Sequence, residues 1–253
     1  MAPDFPKRWI FLRGLTRGAF HWMGFEKKFK DFFKLEGVFA PELAGNGILN
    51  FEPSPTDINQ AVQQLRNQID ATGQKIGLFS ISMGGMIATR WAQMYPDEVT
   101  HLVVVNSSFS SLNPFNERLL PGNYPAIIKN FIFSDAENLE KFILNATSNF
   151  EEIWKPHLKE LVQFQKKYPV SLANFIRQLQ MSSTASCEPV PRSQTLILNS
   201  NTDRLVSYRC SQALAKKWAC EIQSHPTAGH DLALDDPEWV LRVIKNKFCT
   251  EPA

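Results

Sequence analysis

Apolar runs and amphipathic stretches alternate along most of the chain. Short apolar runs predict buried strands at residues 9–12, 38–40, 76–81, 102–105, 195–198 and 221–224. Between them, apolar side chains recur at helical spacing, as in residues 25–33 and 58–69. Further helices are predicted over residues 84–94, 207–218 and about 236–248, with glycine and proline at the boundaries.

This alternation of strands and helices predicts a sheet with helices on both faces. Strands that alternate with helices form βαβ units, and the strands of such units are parallel. Right-handed crossovers then place helices on both faces of the sheet. We therefore predict an α/β fold with a mostly parallel sheet of about six strands.

The rhythm changes between residues 110 and 181, where no strong strand pattern occurs. Short helices are predicted there at residues 139–144, 150–154, 158–164 and 170–179. The segment is rich in aromatic side chains, namely Phe131, Phe133, Phe142, Phe150, Trp154, Phe164, Tyr168 and Phe175. They form either the small core of an insertion or a pocket wall over the sheet edge. We predict that residues 1–109 and 182–253 form the α/β core and that residues 110–181 form a helical lid over it.

Composition and charge change this picture little. The 253 residues are 43% apolar and 21% charged, with a net charge of +2, which gives no reason to expect nucleic acid or an anionic membrane. No apolar run approaches the ~18 residues of a membrane span, and the N-terminus lacks a signal-peptide pattern. The four cysteines lack metal-ligand spacing, so we expect free thiols and a cytoplasmic protein.

The junction at Ser82 carries the strongest chemical signal. An apolar strand stops at Ser82 and a helix begins at once, which leaves Ser82 on a strained elbow above the sheet. The backbones nearly touch there, so the residues two positions away must be small, and they are Ser80 and Gly84. Ser82 is a candidate nucleophile; the alternative is that it merely caps the helix.

Asp203 and His230 follow predicted strands in loops at the same sheet edge as Ser82. A serine hydroxyl is a weak nucleophile until an imidazole takes its proton, and the imidazole needs a carboxylate to fix its tautomer. The chain order Ser, Asp, His therefore makes these three residues a candidate catalytic triad. His225, which also follows the last strand, and His21, near the loop after the first strand, are alternatives for the base.

Five segments in the same order resemble the α/β-hydrolase superfamily, and within it the small esterases with a helical lid. They are residues 12–15, 41–47, 80–85, 201–206 and 228–230. The resemblance covers nearly the whole chain and implies an α/β-hydrolase fold with Ser82 as nucleophile, His230 as base and Asp203 as orienting acid. It also implies an oxyanion hole formed by the backbone N–H groups of Leu15 and Met83.

The chain departs from the family pattern at a few positions. Arg13 stands where the family usually has histidine before Gly14, and we expect it to support the loop. We expect the first two antiparallel strands of the full fold to be missing or rudimentary. Residues 106–108, after the fourth strand, contain no carboxylate, which favours Asp203 as the acid. Asp235 and Asp236 are expected to be helix caps.

We therefore expect a serine carboxylesterase that cleaves a small or medium-chain acyl ester through an acyl-enzyme on Ser82. One alternative is a pimeloyl-carrier-protein methyl ester esterase or a thioesterase, to which an acyl carrier protein presents the substrate. An acidic carrier protein would need a basic lid surface, but the lysines of the predicted lid are matched by glutamates. Another alternative is a non-catalytic module of the same fold that binds a small molecule. No metal, cofactor, nucleic-acid or membrane partner is expected.

Overall fold

A six-stranded sheet forms the centre of the computed structural model, which describes residues 4–69 and 73–249. The strands are β1 (Arg8–Leu12), β2 (Gly37–Phe39), β3 (Ile76–Ile81), β4 (Val99–Val105), β5 (Gln194–Ser200) and β6 (Glu221–His225). Their order across the sheet is β2-β1-β3-β4-β5-β6, and each pairing is parallel. This confirms the predicted α/β fold and its sheet.

Helices connect the strands and cover both faces of the sheet. Three precede β4, namely α1 (Phe25–Phe33), α2 (Ile58–Asn67) and α3 (Met83–Met94). Those between β4 and β5 are α4 (Phe115–Arg118), α5 (Tyr124–Phe133), α6 (Ala136–Thr147), α7 (Glu151–Trp154), α8 (Leu158–Lys167) and α9 (Leu172–Ser183). The last are α10 (Tyr208–Trp218), α11 (Leu232–Asp235) and α12 (Pro237–Phe248).

Successive side chains of β3 enter two different cores. Leu78 packs in the cluster that contains Val62 of α2 and Trp91 of α3. Phe79 packs on the other face, in the cluster that contains Phe29 of α1 and residues of α12. Burying one such side chain is worth about 1.5–3 kcal/mol. Buried side chains therefore stabilise the sheet on both faces, and the loops at the carboxyl ends of its strands can provide the functional residues.

The described helices differ from the predicted ones mainly at their ends and in the segment between β4 and β5. α2 begins after Asp57, whose carboxylate accepts hydrogen bonds from the backbone N–H groups of Asn59 and Gln60 at 2.8 and 3.1 Å. It ends at Asn67, two residues before the end of the predicted stretch, and residues 70–72 lie outside the described part. α5 was missed because its sequence is apolar nearly all round, which hides the helical period. The division into core and lid stays a prediction.

No helix in residues 4–69 or 73–249 is both long and apolar enough to cross a bilayer.

Candidate active site

Ser82 adopts a strained backbone conformation between β3 and α3. Its φ of 57° and ψ of −123° lie in a region that residues with a side chain rarely occupy. Hydrogen bonds on both sides hold it there: its N–H donates to Val105 O at 2.9 Å, and its carbonyl oxygen accepts from Gly85 N at 2.9 Å and Ser107 Oγ at 2.8 Å. The surrounding structure thus over-determines the elbow, as expected where strain is functional.

Small residues let the elbow pack against its neighbours. A Cβ atom on Gly84 would collide with the carbonyl oxygens of Leu12 and Arg13. Ser80 takes the other small position, and its buried hydroxyl donates to Val103 O at 2.8 Å. The structure therefore accommodates serine at this place by giving its hydroxyl a backbone acceptor.

Asp203 and His230 meet in a buried hydrogen bond. His230 Nδ1 lies 2.7 Å from Asp203 Oδ2, and both side chains are almost completely excluded from solvent. Asp203 Oδ1 accepts the backbone N–H groups of Leu205 and Val206 at 2.8 and 3.1 Å. Asn106 Nδ2 donates to the carbonyl oxygen of His230 at 2.8 Å. Both members of the pair are therefore anchored independently, with Nδ1 turned toward the carboxylate.

The pKa of His230 reflects two opposed effects. Burial by itself lowers the pKa, because the charged imidazolium loses its hydration. The Asp203 carboxylate opposes burial through its charge and its hydrogen bond, and the net pKa lies above the ordinary 6.5. The site thus stabilises the protonated form that a general base reaches after it has taken a proton.

Ser82 and His230 line one cavity of about 510 Å³. Within the described residues no hydrogen bond joins Ser82 Oγ to the His230 ring; such contacts often tighten only when substrate binds. Much of the wall is apolar and comes from the segment between β4 and β5. It includes Leu119, Ile127, Phe131, Phe142, Phe175 and Leu179.

Aromatic side chains of that segment serve both of the uses expected from the sequence. Phe131, Phe142 and Phe175 line the cavity. Trp154 instead packs with leucines of α6 and α8 in a small separate core, whereas Phe133 is 79% exposed. The segment therefore has its own core and also shapes the cavity beside Ser82.

The loop after β1 packs directly against Ser82. A Cβ on Gly14 would lie 3.1 Å from Ser82 Cβ and 3.5 Å from its Oγ. Arg17 N donates to Gly14 O at 3.2 Å, which closes a turn with Leu15 and Thr16 at its centre. Thr16 has φ +59°, the sign that a type II turn requires at this position. Leu15 lines the cavity, as does Met83 at the first turn of α3, so both remain candidate oxyanion donors.

The side chain of Gln178 in α9 anchors this turn, a role that the sequence did not predict. Its fully buried side chain accepts from Thr16 N at 2.8 Å through Oε1. Its Nε2 donates to Asn46 Oδ1 at 2.8 Å and to Ser54 Oγ at 3.0 Å. A glutamine in a helix gives no local signal of such a role, because its partner is 162 residues away in the chain.

Arg13 supports the same loop, as predicted. Its Nη2 lies 2.6 Å from Asp231 Oδ2, and its guanidinium lies over the Trp22 ring at 4.6 Å. Asp231 directly follows His230, so this buried ion pair ties the loop after β1 to the loop that carries the imidazole. Removing one partner would leave an uncompensated buried charge.

His225 and His21 lie outside the cavity wall. His225 Nδ1 accepts from Thr227 N and Ala228 N at 3.2 and 2.9 Å, and its Nε2 lies 3.2 Å from Asp236 Oδ2. His21 Nδ1 accepts from Gly18 N at 3.0 Å, and burial, followed by nearby arginines, keeps the pKa of His21 well below 6.5. Both imidazoles therefore act as loop supports, and His230 is the histidine of the described cavity wall.

The prediction that Asp235 caps a helix is wrong. Its buried carboxylate instead accepts from Ser148 Oγ, from Asn149 N at 3.0 Å and from Gly229 N at 2.6 Å. Burial raises the pKa of Asp235, although these donors oppose the shift. The short α11 ends at Asp235, which therefore faces inward and fastens the His230 loop, whereas Asp236 caps α12 as predicted.

In the described residues, no three His, Cys, Asp or Glu side chains are grouped as metal ligands would be. The expected independence from metals and cofactors stays a prediction.

The chain is similar to several solved structures and matches one family model. MGS-M2, an alpha/beta hydrolase enzyme from a Medee basin deep-sea metagenome library, aligns with a TM-score of 0.69 at 17% identity, over 100% of this chain and 93% of the other. A thermophilic esterase from Thermogutta terrifontis aligns with a TM-score of 0.72 at 18% identity, over 94% and 88%.

A third similar structure is 2-hydroxy-6-oxo-6-phenylhexa-2,4-dienoate hydrolase from Rhodococcus sp. strain RHA1, with a TM-score of 0.72 at 15% identity, over 96% and 90% of the two chains. No curated protein sequence matches the chain. At these identities the structures demonstrate a shared fold alone. The model of the alpha/beta hydrolase family matches residues 9–243, and the chain belongs to that family.

Proposed function

We propose that the protein is a serine carboxylesterase that cleaves a small or medium-chain acyl ester through an acyl-enzyme on Ser82. One observation carries this proposal: a strained serine shares an apolar cavity with an imidazole whose Nδ1 is held by a buried carboxylate. A helix-capping role for Ser82 explains less. It requires neither the φ of 57° nor a cavity at the hydroxyl, and the side chain makes no capping hydrogen bond to α3.

The proposed reaction has two halves. Ser82 Oγ attacks the ester carbonyl carbon while its proton passes to His230 Nε2, and Asp203 stabilises the imidazolium through Nδ1. The carbonyl oxygen becomes negative and accepts hydrogen bonds from the Leu15 and Met83 backbone N–H groups. The tetrahedral species expels the alcohol, which takes the proton from His230. Water then attacks the acyl-serine in the same way and releases the carboxylic acid.

The cavity suits an apolar acyl chain. Its volume of about 510 Å³ lies within the range of about 300–1,000 Å³ that is typical of small-molecule sites. Burying a methylene group is worth ~0.8 kcal/mol, so an apolar wall rewards each added carbon until the cavity is full. A thioester would meet the same groups. A carrier-protein partner and a cytoplasmic location stay predictions.

The test compares wild-type protein with Ser82→Ala and, as a matched control, Ser186→Ala, which changes an exposed serine outside the cavity wall. We expect wild type and Ser186→Ala to hydrolyse p-nitrophenyl butyrate and to react with a fluorophosphonate probe. Ser82→Ala should do neither while it keeps its circular dichroism spectrum. Turnover retained in Ser82→Ala would contradict the proposal. If the wild-type protein gives neither turnover nor labelling but binds butyrate, the protein is a binding module.

A further inference from the structure

The cavity beside Ser82 contains three arginines, and two of them are neutralised. Arg13 pairs with Asp231 at 2.6 Å, and Arg17 pairs with Glu140 at 2.8 Å. Arg118, at the end of α4, also lines the cavity, but no carboxylate of the described residues lies within 4 Å of it. Among residues 4–69 and 73–249, one cation of the wall is therefore left without a counter-ion.

The guanidinium of Arg118 is only partly satisfied by the protein. Its Nη2 donates to the carbonyl oxygen of Ser182 at 2.5 Å. Its Nε is buried and has no acceptor among the described residues. Burial also lowers the pKa of Arg118, although the neighbouring Cys210 opposes the shift. A buried donor without an acceptor normally costs stability. Arg13 also has two such nitrogens, Nε and Nη1, but its charge is paired with Asp231, whereas the charge of Arg118 has no such partner among the described residues.

The polar side chains next to Arg118 do not supply that acceptor. Ser182 and Ser183 also line the cavity, but their hydroxyls already donate to the carbonyl oxygens of Gln178 and Gln180 at 2.8 and 2.7 Å. Neither makes a hydrogen bond to Arg118 through its side chain. Arg118 therefore lies at the cavity wall with guanidinium donors that the described residues do not use.

We propose that Arg118 binds a carboxylate on the substrate, so that the preferred ester carries an acid group remote from the scissile bond. The inference deepens the proposed esterase function and rests on it. A guanidinium presents a planar fork of N–H donors that matches the two oxygens of a carboxylate. A phosphate would match the fork too. A carboxylate carries less charge, however, and loses less hydration on entering a wall that is otherwise mostly apolar.

The experiment measures selectivity rather than activity alone. Two substrate pairs are needed. One is the p-nitrophenyl half-ester of adipic acid with its neutral ω-methyl ester, and the other is the acetyl ester of 6-hydroxyhexanoic acid with its methyl ester. For each pair, the ratio of kcat/KM for the acid to kcat/KM for the neutral ester is determined in wild type, Arg118→Met and Arg118→Lys.

We expect the ratio of at least one pair to fall about 10- to 100-fold in Arg118→Met, the range for a hydrogen bond between charged groups. Arg118→Lys keeps the charge without the fork and should give an intermediate ratio. The matched control is Arg209→Met, which removes an exposed cation near Glu117 that does not line the cavity. Its ratios should stay within about two-fold of wild type. Thermal unfolding checks that each variant is folded.

Ratios that are unchanged in Arg118→Met for both pairs would overturn the proposal, and so would an equal fall in Arg209→Met. A phosphate-terminated ester that is preferred over the carboxylate would also overturn it. If wild type hydrolyses none of the esters, the esterase function fails, but the subsite is still testable by calorimetry. Monomethyl adipate should then bind Ser82→Ala at least ten-fold more tightly than Ser82→Ala with Arg118→Met. Equal affinity would overturn the subsite on its own.

Discussion

Replacing Asp203 by asparagine should force His230 into the wrong tautomer. In the structure, Asp203 Oδ1 accepts two backbone N–H groups, from Leu205 and Val206, while Oδ2 faces His230 Nδ1 at 2.7 Å. An asparagine keeps its oxygen toward the two backbone donors, because an amide NH₂ placed there would oppose donor to donor. The Nδ2 amide of the variant then points at His230 and donates to Nδ1. The imidazole proton must move to Nε2, which can no longer accept a proton from Ser82.

The expected loss of activity is large because the variant keeps the shape of the site but has the imidazole proton on the wrong nitrogen. The same change in a serine hydrolase triad lowers kcat by about 10⁴. Such a fall corresponds to ~5 kcal/mol of transition-state stabilisation, at about 1.36 kcal/mol for each factor of ten. The two backbone hydrogen bonds survive in our variant, so the unfolding midpoint should change little. We therefore expect Asp203→Asn to lose activity but not stability.

A pH profile of kcat/KM on p-nitrophenyl butyrate adds a second readout. Only the neutral imidazole accepts a proton, so activity falls as the pH drops through the pKa of His230. Asp203 raises that pKa in the wild-type protein. In Asp203→Asn the raising charge is gone, so the acidic limb of the residual activity should move to lower pH.

Asp236→Asn is the matched control, because it makes the same change in the other described His–Asp pair. Asp236 Oδ2 lies 3.2 Å from His225 Nε2, and the pair does not line the cavity. Asparagine also caps helices well, so α12 should keep its start. The control should retain kcat/KM within about two- to three-fold of wild type. A loss of less than ten-fold in the kcat of Asp203→Asn, or an acidic limb that moves to higher pH, would contradict the proposed role of Asp203.

Other expected results follow from contacts in the same structure. Gln178→Leu should lower kcat by ten-fold or more with little change in KM, up to the 10²–10³ loss of a missing oxyanion donor, because the turn at Thr16 loses its anchor. Gln165→Leu, a buried glutamine outside the cavity wall, is the control, and equal kinetics of the two variants would contradict the role of Gln178. The pKa of buried His101 is lowered from 6.5 to about 4, so the unfolded state binds a proton that the native state refuses as the pH falls from 7 to 4. The wild-type protein should therefore lose up to about 3 kcal/mol of unfolding free energy relative to His101→Phe between pH 7 and pH 4, as measured by urea titrations. A difference between the two proteins that does not change with pH would contradict the assignment. Across p-nitrophenyl acetate, butyrate and hexanoate, kcat/KM should rise by up to about four-fold per methylene, and a falling series would argue against an apolar acyl pocket.

The elbow at Ser82 was predictable because its signals are local. A strand, a serine and a helix follow one another within a few residues, and the small neighbours Ser80 and Gly84 show that backbones approach closely. The strand edges that carry Asp203 and His230 were predictable for a related reason, since parallel strands all end at one side of the sheet. The pairing of the two side chains at 2.7 Å then depends only on loops that leave that side.

Long-range polar contacts could not be predicted in this way. Gln178 meets Thr16 across 162 positions, and nothing in the sequence around either residue indicates the other. Asp235 has the sequence context of a helix cap, but the short α11 turns it inward to Gly229 and residues 148–149. α5 escaped prediction for a different reason: it is apolar on most sides, so neither its period nor its packing face is visible in the sequence. The shape of the cavity depends on such elements.

The proposed mechanism requires that Ser82 carries a covalent acyl group during turnover. Rapid-quench mass spectrometry of the protein mixed with p-nitrophenyl butyrate tests this most directly, because acyl-enzyme accumulation accompanies a fast first step. We predict a mass increase of one butyryl group within the first turnover, located by peptide mapping on Ser82 and absent from Ser82→Ala. Hydrolysis without any acylated species in a burst-phase sample, or an acyl group on another residue, would contradict the account.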